Sequence, residues 1–359
     1  MTFDYCVLGA GLAGLSIADK LSEHNYKVAV IDPKGIAAGA SGVPIGLVNP
    51  ATGRYASMSW KGIECYNAIL KTLEQVQART KTILFSKPGV IRPAISEEYA
   101  LKMKTVHAET DWPEGWCYWL DRDEVAERFP GLKCVGGGIW LPIDLNVRMP
   151  QFLEAYSDML REREVQFHTS EPYTLTQAGE HWNINLADKT NIEAKNIITT
   201  AGSKSCDVQQ WSFLPLHPIK GQIIILKTKE PFPYSSTVYA SGYSTKFDKN
   251  SFAAGSTYEH DFTDEEPDSE GLDRILGNLS IVLPDVKESI LETKQWAGIR
   301  ASTPNRLPIL GRHPKFKNSY IFTGLGSKGL LFSSYLAEQL YNYIEHSIPL
   351  HPRIDVARI

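Results

Sequence analysis

Along residues 3–32, FDYCVLGAGLAGLSIADKLSEHNYKVAVID, the apolar pattern changes period twice. Tyr5, Cys6, Val7 and Leu8 form a short apolar run; Leu12, Leu15, Ile17, Ala18 and Leu21 then recur at helical spacing, and Val28 to Ile31 make a second run. A strand, a helix and a strand follow, so the stretch predicts a βαβ unit. Residues 60–79 carry Ile63, Tyr66, Ile69, Leu70, Leu73 and Val76 on one helical face. Further helices are predicted over 96–107, over 121–128 with Asp121 and Glu124 placed as a capping box, over 147–162 with Pro150 near its start, and over 272–283. Strands are predicted over 83–85, 89–91, 136–141, 165–168, 182–186 and 192–199.

From residue 218 long strand-like runs take over, at 219–227, 236–247 and 251–259, and these predict an antiparallel sheet forming the wall of a substrate site. The acidic run 264–270 reads as a solvated loop. Residues 320–344 predict a strand, a glycine-rich turn and a buried helix. Because 82–144 breaks the βαβ alternation, the chain reads as an α/β protein of two domains. A Rossmann-like parallel sheet with helices takes 1–81, 145–215 and 302–359; a mixed, mainly antiparallel substrate domain takes 82–144 and 216–301.

The turn within the βαβ unit carries chemistry. Gly9, Gly11 and Gly14 form G-x-G-x-x-G, enclosing Ala10, Leu12 and Ala13. The first glycine turns tightly, the second lets backbone approach a pyrophosphate, and the third lets helix and strand pack closely. The helix N-terminus then offers unpaired N–H groups to phosphates. Asp32, followed by Pro33, ends the second strand 18 positions after Gly14, where a carboxylate accepts hydrogen bonds from ribose hydroxyls. Residues 35–56 have no period and read as a loop of small side chains, among them Ala40, Ser41 and Gly42, that starts beside the same ligand. The strand 192–199 stops at Ala201 and Gly202, returning backbone to that ligand. Near the end, strand alternation puts Trp296, Gly298 and Arg300 on one face, opposite Ala297 and Ile299. On spacing alone Arg300 is either a surface arginine in an ion pair or a ligand-binding group.

Composition narrows the class. With 359 residues, 43% hydrophobic and 22% charged, the chain has the make-up of a globular enzyme, and a net charge of −4 gives no general attraction to polyanions. The five cysteines are odd in number and without C-x-x-C spacing, which suggests neither a disulfide framework nor a zinc site and fits a reducing cytoplasm. The first strand starts too early to leave room for a secretory signal, and no apolar run is long enough to span a bilayer. The pattern sets no oligomeric state.

With these pieces placed, the chain resembles the D-amino-acid oxidase or glycine oxidase family of FAD-dependent amine oxidoreductases over nearly its full length. The resemblance rests on VLGAGLAG with Asp32, GASG at 39–42, TTAGSKS at 199–205, PIKGQ at 218–222, GSTYE at 255–259, WAGIR at 296–300, LPILG at 307–311 and GLGSKGL at 324–330. Within the family it looks similar to the oxidase half of the bifunctional enzyme of tRNA 5-methylaminomethyl-2-thiouridine. The departures are Asp32 for a commoner Glu, Lys220 and Lys328 where Arg is common, and Asn305-Arg306 for Asp-Gly. A lysine supplies a point charge in place of a fork.

The resemblance implies FAD, non-covalently bound, running from the first glycine turn to a flavin between the domains. It implies that Arg300 pairs with the substrate carboxylate, assisted by Tyr243, while the α C–H faces flavin N5 and leaves as hydride to give an imine that water hydrolyses. It further implies that the turn Gly324, Leu325, Gly326, Ser327, Lys328, Gly329 and Leu330 presents N–H donors to the flavin, with Lys328 itself expected outward and solvated. The expected substrate is glycine, a small amino acid or an N-substituted glycine. A modified tRNA uridine bearing a carboxymethylamino group is the alternative, less favoured for want of a methyltransferase half and a basic stripe. A nicotinamide dehydrogenase shares the βαβ unit but has no need of the turns at 39–42 and 324–329.

Overall fold

In the computed structural model, which describes residues 2–169 and 172–359, the predicted opening unit is present as β1 (Thr2–Leu8), α1 (Leu12–Glu23) and β2 (Val28–Asp32). The 35–56 stretch holds more order than its composition predicts: a short turn of 3₁₀ helix at Ala40–Gly42 and the strands β3 (Gly46–Val48) and β4 (Ala51–Thr52). These are too short to show a period. Then come β5 (Ser57–Met58), α2 (Gly62–Gln77), β6 (Phe85–Ser86), β7 (Val90–Pro93) and α3 (Glu97–Glu109). Strand β8 (Tyr118–Leu120) precedes α4 (Arg122–Arg128), whose capping box between Asp121 and Glu124 is formed on both sides. Strands β9 (Gly138–Leu141) and β10 (Leu145–Val147) lead to α5 (Met149–Glu162).

The chain continues through β11 (Gln166–Thr169), β12 (Tyr173–Ala178), β13 (His181–Leu186) and β14 (Asn191–Thr199). After β15 (His217–Thr228), the run expected as one strand over 236–247 is two, β16 (Thr237–Tyr239) and β17 (Tyr243–Lys246). They pair antiparallel about Ala240, Ser241 and Gly242, and only a glycine fits there, since a Cβ on Gly242 would lie 2.5 Å from the Gly255 carbonyl oxygen. Strand β18 (Ser251–Gly255), α6 (Ser269–Val282), β19 (Ile290–Ser302), β20 (Ile309–Arg312), β21 (Ser319–Thr323) and α7 (Gly329–His346) complete the order.

Two eight-stranded sheets organise the molecule. The first runs β11-β2-β1-β14-β13-β12, with β21 also on β14 and β20 on β21; β11, β2, β1, β14 and β21 are parallel. Its alternation is used on both faces. Tyr5, Val7, Val28 and Val30 share a core with α1, α5 and α7, whereas Cys6, Leu8, Ala29 and Ile31 cluster with Trp182, Ile184 and Leu186 of β13. Leu331, Phe332, Leu336, Ala337 and Leu340 of α7 are buried, and each large apolar side chain so placed contributes about 1.5–3 kcal/mol. The second sheet, β19-β15-β18-β17-β16-β7-β9-β8, is antiparallel except between β16 and β7. Strands β7, β8 and β9 thus join a sheet built mostly from residues far downstream, while β6 and β10 pair in a separate sheet with β3. Among the described residues no helix is long and apolar enough to cross a membrane.

Candidate functional site

A cavity of about 2470 Å³ runs from the turn after β1 to the face of the antiparallel sheet and the start of α7. Its first wall is set by glycine packing. Gly9 has φ +126° and a Cβ there would lie 2.6 Å from the Thr200 carbonyl oxygen; a Cβ on Gly14 would lie 1.9 Å from the Gly9 carbonyl oxygen. Helix α1 begins without a side-chain cap on its first residue and without an acid in its first turn. Leu12 N–H donates instead to Ser41 Oγ at 3.1 Å, which brings the 40–42 turn against the helix start. Asp32 closes the corner: its carboxylate accepts from Ala10 N at 2.8 Å and from Lys34 N at 2.9 Å. Such a corner offers N–H donors and one carboxylate, the groups that a pyrophosphate and a ribose need.

The second wall follows from strand register. Tyr243 pairs with Gly255, Gly255 with Ile223 and Ile223 with Trp296, so one cross-strand row crosses four strands on the cavity face. Two residues further along β19, Gly298 faces Gly221; a Cβ on Gly221 would meet the Arg300 guanidinium at 2.2 Å. The bare glycine is what lets Arg300 lie flat across the sheet. Arg300 Nη1 donates to the Thr257 carbonyl at 3.0 Å, its guanidinium sits 4.5 Å from the Tyr258 ring centre, and no carboxylate pairs with it among the described residues. Among the described residues, then, Arg300 forms no surface ion pair. Burial pushes the Tyr243 phenol up, with Arg300 pulling the other way, so the tyrosine stays a hydrogen-bond donor well past neutral pH.

At the third wall Gly324, Leu325, Gly326, Ser327 and Gly329 lead into α7, which has neither a side-chain cap nor an acid in its first turn. Lys328 departs from the expectation of an outward, solvated side chain. It is half-buried at the cavity, its ammonium lies 5.5 Å from the Phe332 ring centre, and burial, then Arg306, pull its pKa down. Lys220, which stands where Arg is common in the family, is 3% exposed, 2.8 Å from Asp268 and 3.8 Å from both Glu259 and Asp264. The acidic run is consequently not merely solvated, since Asp268 also caps α6.

Of the residues expected from the sequence to bind cofactor or substrate, all but Ala10, Gly14 and Gly42 border the cavity. Those three act behind it, Gly14 against the Gly9 carbonyl, Gly42 against the Ala37 carbonyl, and Ala10 through its N–H to Asp32. Sequence reasoning missed Arg92, Asp144, Tyr239 and Tyr258, which border it too. Arg92 is buried, donates to the carbonyls of Ala51 and Gly53, and lies 4.4 Å from the Tyr239 ring centre. A lone arginine inside the apolar run VIRP was its available signal.

Asp144 is fully buried, and neither carboxylate oxygen closes a hydrogen bond among the described residues, although Thr237 and Asn49 stand alongside. Burial holds its pKa well above the ordinary carboxylate value of about 3.9, with those neighbours and Arg92 acting the other way. An acid raised on folding contributes stability below its unfolded pKa that is lost as pH rises. Asp144→Asn should therefore match the wild type below about pH 4 and be the more stable protein at neutral pH, read from denaturant midpoints across pH. A wild type more stable than the variant at pH 7 would show instead that Asp144 is ionised and paired.

The model of the family described as FAD dependent oxidoreductase (DAO) matches residues 4–342. The chain belongs to that family. Curated relatives include the tRNA 5-methylaminomethyl-2-thiouridine biosynthesis bifunctional protein MnmC of Polaromonas sp. strain JS666, 27% identical over 98% of this chain and 58% of its own. The protein of the same name from Marinobacter nauticus is 26% identical over 94% of this chain and 55% of its own. The chain thus spans a little over half the length of the curated relatives it matches. Among solved structures, glycine oxidase from Geobacillus kaustophilus superposes with a TM-score of 0.86 at 20% identity, covering 97% of this chain and 96% of that one. Iminodiacetate oxidase from Chelativorans sp. BNC1 gives 0.84 at 22% identity, covering 98% of each chain. These likenesses carry the fold. The family's cofactor is FAD, and the residues present fit it: a glycine turn packed too closely against Thr200 and itself to admit a Cβ, the start of α1 with Ser41 as its one side-chain partner, the start of α7 with no side-chain cap, and Asp32 at the end of β2.

Proposed function

We propose that this FAD-dependent oxidoreductase acts on the C–N bond of glycine, a small amino acid or an N-substituted glycine. The observation that carries the reading is Arg300, a cation on the cavity wall with no carboxylate of its own among the described residues. Its guanidinium would take the substrate carboxylate through charge-assisted hydrogen bonds, with the protonated Tyr243 adding a donor. That contact orients the α C–H across the cavity toward the turn that starts α7. FAD, when bound without a covalent link, supplies the two-electron acceptor for the α hydride. Asp32 would hold the adenosine ribose, Gly9 to Gly14 and the start of α1 the pyrophosphate, and the N–H groups of Gly326 to Gly329 would favour negative charge at the far end. On this reading 1–81, 145–215 and 302–359 bind the cofactor and 82–144 with 216–301 bind the substrate.

The test is an anaerobic titration of the purified yellow protein with glycine, N-substituted glycines and D-amino acids. Bleaching of the flavin band by at least one of them is expected; no bleaching by any would sink the reading. A second substrate follows from the relatives. The MnmC proteins match nearly all of this chain, and a wobble uridine bearing a carboxymethylamino group is itself an N-substituted glycine. Arg54 and Arg306, exposed at the cavity and without carboxylate partners among the described residues, would suit flanking phosphates. Digested tRNA should then show less of that nucleoside after incubation with the protein, and equal amounts would remove this substrate.

A further inference from the structure

The segment between β18 and α6 is closed at its base. Lys220 N donates to the Glu259 carbonyl at 3.0 Å and Glu259 N returns a bond to the Lys220 carbonyl at 2.9 Å, while the Glu259 carboxylate accepts from Gln222 Nε2 at 3.0 Å. At the other end Asp268 accepts from Lys220 Nζ at 2.8 Å and from Gln222 Nε2 at 2.9 Å, and its N–H donates to Gln222 Oε1 at 2.9 Å. Both ends of 260–267 therefore rest on one buried pair, Lys220 and Gln222, at 3% and 1% exposure. This is a loop whose ends are held together; in its middle Asp264 also reaches Lys220 Nζ at 3.8 Å, and Glu265 beyond it turns outward.

Its tip is held in another way. The Glu265 carboxylate lies 3.1 Å from Lys204 Nζ and 3.6 Å from Lys34 Nζ. Lys34 comes directly after Asp32 and Pro33, and Lys204 directly after Ala201, Gly202 and Ser203, so one acid joins the two turns that frame the dinucleotide corner. Glu265, Lys204 and Lys34 all border the cavity, and their side chains are 45%, 58% and 68% exposed. Exposed pairs of this kind are weak and screened by salt. A base tied by several hydrogen bonds to buried side chains and a tip held by exposed ion pairs are the geometry of a hinged closure.

We propose that residues 260–267 are a latch over the dinucleotide end of the cavity, closed by Glu265 on Lys34 and Lys204, and that its opening sets how fast FAD leaves. The proposal rests on placing the adenosine end of FAD at Asp32. The experiment measures FAD release from the holoenzyme by the rise in flavin fluorescence on dilution, at low and high salt. Glu265→Gln should release FAD about 2- to 30-fold faster than wild type at low salt, the range that two exposed ion pairs allow. The wild-type rate should climb toward the variant's as salt is added, while the variant's should change little. Glu265→Lys combined with Lys204→Glu should return part of the retention. Equal low-salt release from wild type and Glu265→Gln, both carrying FAD, would overturn the latch. Unchanged FAD affinity in Asp32→Ala would overturn the placement of the adenosine end instead.

Discussion

Replacing Arg300 by alanine is expected to lower kcat/KM for the amino-acid substrate by about 30- to 1,000-fold, the equivalent of about 2–4 kcal/mol for one partner of a desolvated charge pair. The number is large because nothing nearby substitutes. The guanidinium lies over Gly221, is tied to the Thr257 carbonyl, and has no carboxylate competitor among the described residues. Lost carboxylate binding should show first in KM, and kcat should fall as well if the same contact orients the α carbon. Arg300→Lys should recover only part, since an ammonium keeps the charge but not the fork. FAD content should stay at the wild-type level in both. Steady-state kinetics with kcat and KM within twofold of wild type would show that the substrate carboxylate binds elsewhere.

The other large effect is expected behind the cavity, at Gly14. A Cβ there would stand 1.9 Å from the Gly9 carbonyl oxygen and 2.9 Å from Thr200 Oγ1. The nearer atom belongs to the backbone of the turn, so no side chain can swing away to relieve the overlap. Overpacking costs about 1–3 kcal/mol when the structure can give; moved onto the turn, that strain weakens FAD binding by about 5- to 150-fold in Gly14→Ala. Gly277→Ala, in α6 and away from the cavity, is the matched control, because a Cβ at Gly277 meets nothing within 4 Å. The flavin-to-protein absorbance ratio after dialysis reads both. Full retention of FAD by Gly14→Ala would mean that the turn tolerates displacement and that its geometry does not govern binding.

Both substitutions lie in motifs visible in the linear chain, but for different physical reasons. The βαβ unit is legible because period, glycine spacing and a terminal acid are all local, and each local preference agrees with the fold. The capping box of Asp121 and Glu124 is legible on the same ground. Strand alternation also tells that Arg300 leaves the apolar face of β19. It does not tell what the arginine meets, because Gly221, Thr257 and Tyr258 reach it only through the pairing of β15 with β19 and the course of the chain after β18.

What the amino-acid order determined by itself was the dinucleotide corner, the α/β class and the face on which Arg300 stands, since each depends on neighbours within a turn or a strand. Tertiary structure alone decided the environment of the charges that no local pattern pairs. It buried Lys220 among Asp268, Glu259 and Asp264, half-buried Lys328 over Phe332, left Asp144 buried without a hydrogen-bond partner among the described residues, and joined Glu265 to Lys34 and Lys204. The physical reason is range. Backbone preference is set by residues a few positions apart, whereas desolvation and Coulomb interactions depend on which distant segments the sheets bring within a few ångströms.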